Sequence, residues 1–378
     1  MPFDAMSAAA RAEVATRPLR LLWLTEDPTD AGVMLALRAQ GHAAIPFMPD
    51  AGGLLRPLAP PLRNHARALA FAWRQRAPIA TMAAGCRVAH AALRSHCGHV
   101  HAASPGTAAA AVAGARLAGL TVSIAVTDPA PRYGRKALRA TLAAADLVLA
   151  PSHEVAESLR RLCPRLHLRL VPQGVDAARL LPAPEAQGRN GRLLAAGPLV
   201  PAGGFDVLLS AMARLPPSRR PSLDIAGDGP LRHGLETRAQ ALGLGDAVRF
   251  LGARPETWLM RQGPAYLGLV LPMMAAGAEA APHLAKSALA MGLPVIATAI
   301  AGLAEVVSPD VGYLIPPGNA AALAEALLWL GGMPEQRRRA IGGAGRDRAE
   351  LVYSKTGEAR GLAAAVAGLA PMATLRAW

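Results

Sequence analysis

The residues best suited by type and spacing to do chemistry gather in the second half of the chain. Four glycine-bearing turns follow one another there: GPLVPAGGFD from Gly197, GDGPLR from Gly227, AGAEAAPHLAKSALAMGLPVIAT from Ala276, and AGLAEVV from Ala301. Each comes after a short apolar run and opens a helical pattern. Glycine at such a turn lets main-chain N–H groups and a helix N-terminus approach an anion, and a row of such turns is the ligand-binding edge of a parallel α/β sheet. One alone is only a turn; four in this order point to a phosphate-bearing ligand. His283 and Lys286 stand at the start of the third helix and bring cationic groups to its first turn, beside Pro282, which has no amide to offer. In the first half, Thr127 and Asp128 follow the apolar run VSIAV and put polar groups at a strand's carboxyl end. His96, Cys97, His99 and His101 resemble a metal cluster. His99 and His101 alternate along a strand, however, and no distant partner stands at ligand spacing, so the expectation is strand packing and no metal.

The elements that must hold these residues alternate between short apolar runs and longer helical patterns, which is the signature of βαβ units around parallel sheets. Buried-strand candidates in the first half are LRLLWLT, HAAIPF, HVHAA, LTVSIAV, DLVLAPS and LRLVPQG, with Gly41 a helix C-cap after the first of them. AGGLLRPLAPP reads as a loop. After a Pro/Gly/Arg-rich connection the alternation restarts with GRLLAAG, SLDIAGDG, AVRFLG, YLGLVLP, LPVIATA and GYLIPPG. Helices are expected over Gly204 to Leu215, Leu231 to Leu242, Pro282 to Met291 and Ala320 to Leu330, with one last amphipathic piece from Arg337 to about Ala370. The expected organisation is a first Rossmann-like domain over 1–175, a second over 176–350, and a C-terminal helix, 351–378, that crosses back to the first.

Composition narrows the partners. The 378 residues exceed what one core serves, and 52% are hydrophobic against 17% charged, a globular balance. The formal charge is +14, almost all of it from arginine, since Lys136, Lys286 and Lys355 are the sole lysines. Those cations are spread along the chain and aromatics make up only 4%, so the charge does not read as a nucleic-acid surface. It suits a phosphate-bearing ligand or an anionic membrane surface. A basic amphipathic pattern supports the second: Leu62, Ala66, Leu69 and Trp73 form one stripe flanked by Arg63, Arg67 and Arg74, although a core stripe with a solvated flank has the same appearance. Cys86, Cys97 and Cys163 are odd in number and far apart, which fits a reducing compartment. The N-terminal segment carries Asp4 and Glu13 and no apolar run, so neither a signal peptide nor an anchor is expected, and the location is expected to be cytoplasmic. The Ala-rich run from Thr107 to Val126 is interrupted by Arg116 and Gly119 and reads as helix, turn and strand, not a membrane span.

The second half resembles the C-terminal domain of family 4 retaining glycosyltransferases of the GT-B fold. The resemblance runs through Gly197 with Gly204-Phe205-Asp206, Gly227-Asp228-Gly229-Pro230 and Arg249-Phe250-Leu251-Gly252. It continues with Glu279, the stretch Ala288 to Thr298, Gly302 with Glu305, and Gly312-Tyr313-Leu314 with Pro317-Gly318. The first half is similar more loosely, through HVHAASPGTAA, DLVLAPS with a helix starting after Ser152, and VPQGVD.

This resemblance implies two doubly wound domains facing a cleft, a nucleotide-diphosphate sugar as donor, and a glycan or lipid-linked acceptor at the inner membrane face. It implies retention by front-face attack with no cofactor or metal. Glu279 takes the place of the carboxylate that contacts the donor sugar; Asp128, next to Thr127 at a strand's carboxyl end, is the candidate acceptor-side group. Gly197, Gly203, Gly204, Asp228, Gly229, Phe250, Leu251, His283, Lys286, Ser287 and Glu305 form the implied donor-binding set. The sequence also departs from the family. Pro198 and Gly203 stand where Arg and Lys cradle the diphosphate, Ser287 where a second Glu holds the ribose, and Thr127 where a His is common. Two lost charge-assisted contacts amount to about 3–6 kcal/mol of donor binding, with His283 and Lys286 as candidate replacements. The second reading of these departures is a non-catalytic relative that keeps the fold as a binding or scaffold protein.

Overall fold

The computed structural model describes residues 18–25, 31–49, 70–71, 73, 78–126, 135–183, 188–274, 280–300 and 302–369. The chain divides into two compact units, one made of residues 1–172 with 358–378 and one of residues 173–357.

In the first unit, six parallel strands form one sheet: β1 (Arg20–Leu24), β2 (Ala43–Phe47), β3 (His99–Ala102), β4 (Thr121–Ala125), β5 (Leu147–Ala150) and β6 (Leu168–Leu170). Their order is β2-β1-β3-β4-β5-β6. β1, β3 and β5 are buried on both faces; β1 and β5 therefore read as continuous apolar runs, while β3 alternates His99 and His101 with Val100 and Ala102. The Ala-rich run resolves into the helix Pro105–Ala118, closed by Gly119 in the left-handed conformation, and then β4. Ser152 caps the helix His153–Leu162 by accepting from the Val155 amide at 3.2 Å. His99 and His101 lie inside this unit, 3% and 2% exposed. His99 Nδ1 meets Thr121 Oγ1 and its Nε2 meets Ser123 Oγ, both at 2.7 Å, while His101 Nδ1 shares Ser123 Oγ at 2.8 Å. Burial lowers both imidazoles to about 3, so they are neutral polar ties between β3 and β4. Among the described residues no group of three His, Cys, Asp or Glu is arranged to hold a metal ion.

The last piece of chain is two helices where the sequence suggested one. Glu335–Leu351 ends before Val352, and Lys355–Ala367 begins after Ser354. The break is fixed by main-chain bonds: the Val175 amide donates to Tyr353 O at 2.7 Å, and the Lys355 amide donates to Val175 O at 3.1 Å. Beyond it, Ala359, Leu362, Ala363 and Val366 enter a core with Leu21, Trp23 and Val171 of the first unit.

The second unit repeats the pattern with β7 (Arg192–Ala196), β8 (Ser222–Ala226), β9 (Val248–Gly252), β10 (Leu269–Leu271), β11 (Val295–Thr298) and β12 (Gly312–Ile315). All six are parallel, in the order β12-β11-β10-β7-β8-β9. Strand order therefore reverses between β7 and β10. In a doubly wound sheet the helices leaving the two strands at that point go to opposite faces, which opens a crevice at their carboxyl ends. The helices run Phe205–Arg214, Arg232–Ala241, Glu256–Gln262, Ala280–Ala290, Leu303–Val306, Ala320–Gly331 and Glu335–Leu351. Asp224, 1% exposed in β8, ties three elements together. Its carboxylate accepts from Arg192 Nε at 2.6 Å, from Arg249 at 2.8 and 2.7 Å, and from Tyr266 Oη at 2.8 Å.

Candidate functional site

A pocket of about 300 Å³ opens at the carboxyl end of the second sheet. Its floor is the turn after β7, with Gly197 and Pro198, and the turn after β8, with Gly227 and Asp228. One wall is the segment after β9, which carries Arg254, Glu256 and Trp258; the other is the start of the helix Ala280–Ala290, with His283 and Ser287. The pocket lies wholly within the second unit.

Close backbone approach builds the floor. The Leu199 amide donates to Asp228 O at 2.9 Å and the Leu231 amide to Leu199 O at 3.0 Å, lacing the first two turns together. A Cβ on Gly227 would collide with the carbonyl oxygen of Gly197. Gly204 combines φ +68° with a position where a Cβ would strike the Pro272 carbonyl, so only glycine starts the helix Phe205–Arg214 this close to β10. Asp228 is used locally: its Oδ1 accepts from the Gly229 amide at 2.8 Å and its Oδ2 meets Arg232 at 3.3 Å.

The walls carry the polar side chains. Glu256 is the first residue of its helix, after Pro255, and its Oε1 lies 3.4 Å from His283 Nε2. His283 and Ser287 are four apart and share one helix face. Ser287 is fully buried, and its Oγ has no hydrogen-bond partner among the described residues. Arg254 lies over the Trp258 ring, 5.7 Å from its centre.

Of the residues singled out in the sequence, Gly197, Asp228, His283 and Ser287 line this pocket, and Gly203, Gly204 and Gly229 shape the turns behind it. Phe250 and Leu251 stand on β9 and pack into the two cores of the unit; the wall on that side begins two residues later, at Ala253. Lys286 does not face the pocket. It is 7% exposed, its Nζ donates to Gln173 O at 2.9 Å, and it rests 5.2 Å from the centre of the Tyr353 ring. A side chain one position from Ser287 points about 100° away around the helix, which sends Lys286 toward the segment at Gln173. Glu305 lies on the short helix Leu303–Val306, and its main-chain oxygen accepts from Tyr353 Oη at 3.0 Å. Glu279, Thr127, Asp128 and the stripe from Leu62 to Leu69 fall outside the described residues. Sequence reasoning passed over Arg254, Glu256 and Trp258; the signal for them was RPETW, a proline and an acid opening a helix directly after a strand.

Comparison with known proteins matches both units. The Glycosyltransferase Family 4 profile matches residues 33–179, and the profile of Glycosyl transferases group 1 matches residues 181–347. The chain is 33% identical over 212 residues to the D-inositol 3-phosphate glycosyltransferase of Frankia alni, covering 51% of each chain. It is 29% identical over 189 residues to an Escherichia coli protein named as a colanic acid biosynthesis glycosyltransferase, covering 48% of this chain and 47% of that one. The chain thus spans about half the length of the curated relatives it matches. The fold is shared with Anabaena HepE, solved in complex with UDP, at a TM-score of 0.67 and 17% identity over 93% of this chain and 100% of that one. It is also shared with a glycosyltransferase from Rickettsia africae, at 0.66 and 16% over 91% and 96%. Two doubly wound parallel sheets, the pocket at the second sheet's switch point and the two profile matches agree: the chain belongs to the group 1, family 4 glycosyltransferases of the GT-B fold.

Proposed function

We propose that this glycosyltransferase takes a nucleotide-diphosphate sugar in the pocket of the second unit. It transfers the sugar, with retention, to a glycan or lipid-linked acceptor in cell-surface polysaccharide or glycolipid synthesis. The observation that carries the reading is the pocket at the switch point of β7 and β10, floored by glycine turns and flanked by a helix start. Such a site offers main-chain N–H groups and the positive end of a helix to an anionic carrier. The related fold of HepE is known with UDP and with UDP-glucose, and the named relatives act on an inositol phosphate or belong to polysaccharide synthesis. In this reading Glu279 contacts the transferred sugar, Asp128 serves the acceptor, and helix dipoles stabilise the leaving diphosphate without a metal.

A thermal-shift panel of UDP-, GDP- and ADP-linked sugars tests the donor, because ligand binding raises stability by mass action. One donor should shift the transition and then turn over, with the product keeping the anomeric configuration by NMR. Inversion would overturn retention, and silence across the panel would overturn the donor. A second reading, a non-catalytic binding relative, is favoured by Pro198 and Gly203 at the diphosphate turn and by Lys286 directed to Gln173. Binding without turnover would select it.

The acceptor side is proposed to meet an anionic membrane surface from the cytoplasm. Trp73 and Ile79 are 82% and 86% exposed, and the net charge is +14. No helix among the described residues is long and apolar enough to cross a membrane. Flotation with anionic but not neutral liposomes is the expected result, and a chain left wholly in solution would end this part.

A further inference from the structure

Arg338 is a buried charge without a counter-ion. It is 7% exposed, its Nε is buried with no hydrogen-bond partner, and its Nη1 donates to Met333 O at 3.3 Å. Other recessed arginines of the second unit each hold a carboxylate: Arg192 that of Asp224, Arg346 that of Glu350 and Arg348 that of Asp310. Among the described residues no carboxylate does this for Arg338, and burying an uncompensated guanidinium is costly. The side chain folds back along its own helix, Glu335–Leu351, since Met333 precedes the N-cap Pro334. That puts the guanidinium at the positive end of a 17-residue helix whose first turn has no side-chain cap. The acid of this turn, Glu335, is engaged by Arg339 at 2.5 Å, while Arg337 on the same turn and Arg189 next to Gly188 are exposed. A Cβ on Gly188 would lie 2.8 Å from Arg338 Nη2 and 2.9 Å from Leu267. Gly188 precedes β7 and Leu267 precedes β10, so the group sits at the amino end of the second sheet, away from the pocket at its carboxyl end.

We propose that Arg338 and the first turn of this helix form a recessed seat for a phosphate group, separate from the pocket described above. The guanidinium fork donates to two of its oxygens, and the uncapped first-turn amides meet a third. The charge that the anion brings removes the cost of burying Arg338. At 7% exposure the seat admits a small group and not a flat surface. Glu185, three residues before Gly188 in the sequence, is the chain's own alternative counter-ion.

The test is thermal unfolding of the full chain in phosphate against chloride at equal ionic strength. The melting temperature should rise by about 3–6 °C once phosphate is tenfold above its Kd, and then level off. Arg338→Met should lose that rise. In chloride this variant should melt at or above the natural chain, because an unpaired buried charge has given way to an apolar side chain of similar volume. Arg338→Lys, which keeps the charge without the fork, should keep a smaller rise. Nucleotide-dependent stabilisation should be the same in all three chains, which separates the seat from phosphate entering the pocket. Glycerol 3-phosphate locates the source: a rise equal to that of phosphate assigns the seat to an esterified phosphate, no rise assigns it to the free ion, and both uphold it. The proposal falls if phosphate does nothing for the natural chain or if Arg338→Met keeps the full rise. It falls too if Arg338→Met melts well below the natural chain in chloride, since the guanidinium then has a partner within the chain. If Glu185→Gln lowers the melting temperature and enlarges the phosphate rise, Glu185 occupies the seat and the proposal is likewise overturned.

Discussion

Asp224 and Lys286 are both charged and both buried, and they illustrate how the same physics gives different residues different duties. Asp224 is held by Arg192, Arg249 and Tyr266. Removing Asp224 strands the Arg192 guanidinium and the Tyr266 hydroxyl away from water while the exposed Arg249 is resolvated, so Asp224→Ala is expected to cost about 3 kcal/mol in denaturant unfolding, the low end for a buried pair. A loss within about 0.5 kcal/mol, typical of a surface site, would show that Arg192 and Arg249 find other partners. Lys286→Met keeps the volume of the side chain and leaves Gln173 O without its donor. The expected cost is about 1–3 kcal/mol, with the salt dependence of nucleotide binding unchanged. A flattened salt dependence would mean that the ammonium reaches the phosphates. These roles were not legible in the sequence. Lys286 sits one residue from Ser287 and looks like part of the same site, yet the turn of the helix points the two to different neighbours. Glu256 and Trp258 escaped for the converse reason, because they are far in sequence from the glycine turns and reach the pocket only through the path of the segment after β9.

At the scale of elements the sequence was far more informative, because parallel strands buried on both faces must be continuous apolar runs. DLVLAPS became β5 and LPVIATA became β11 on that rule, while HVHAA became β3 with its two histidines tied to Thr121 and Ser123. Glycine turns were equally legible, since their backbone constraint is local. Gly227→Ala should therefore damage the pocket more than its single methyl suggests: the Gly197 carbonyl has to move, and with it the floor. We expect a loss of about 1–3 kcal/mol in stability together with loss of nucleotide-dependent thermal stabilisation. Normal ligand response in this variant would show that the turns shift as a unit. Helix ends carry a smaller penalty. Asn319 accepts from the Ala321 and Ala322 amides, and Asn319→Ala should cost about 1 kcal/mol with no change in ligand response. What the pattern did not reveal was the break at Val352 to Ser354. It is set by Val175, about 180 residues earlier, and no local signal encodes a main-chain bond to so distant a partner.

At the scale of the whole molecule, the two units carry their titratable weak points at different pH. In the first unit His99 and His101 are neutral inside the sheet, lowered to about 3 by burial, with His99 adding to the effect on His101. Their folded values lie below the unfolded value near 6.5, so the unfolded chain binds more protons between the two. Stability of this unit is complete above about pH 6.5 and falls as pH drops through the window toward 3. In the second unit burial pushes Asp224 up, but the bonds from Arg249, Tyr266 and Arg192 outweigh it and the net shift is downward. A depressed carboxylate contributes stability above its unfolded value, near 3.9, and loses it only as pH falls through the folded value. Acid should therefore weaken the first unit first. Hydrogen exchange at pH 5 is expected to show faster opening of β3 and β4 than at pH 7.5, while β7 and β8 keep their protection. The double variant His99→Gln with His101→Gln should flatten the pH dependence between 7.5 and 5, leaving the share of His42, which burial also lowers, even though it is less stable at the upper end. If β3 and β4 are equally protected at both pH values, or if β7 and β8 open first, then water reaches the two imidazoles and their burial does not set the acid limit of the chain.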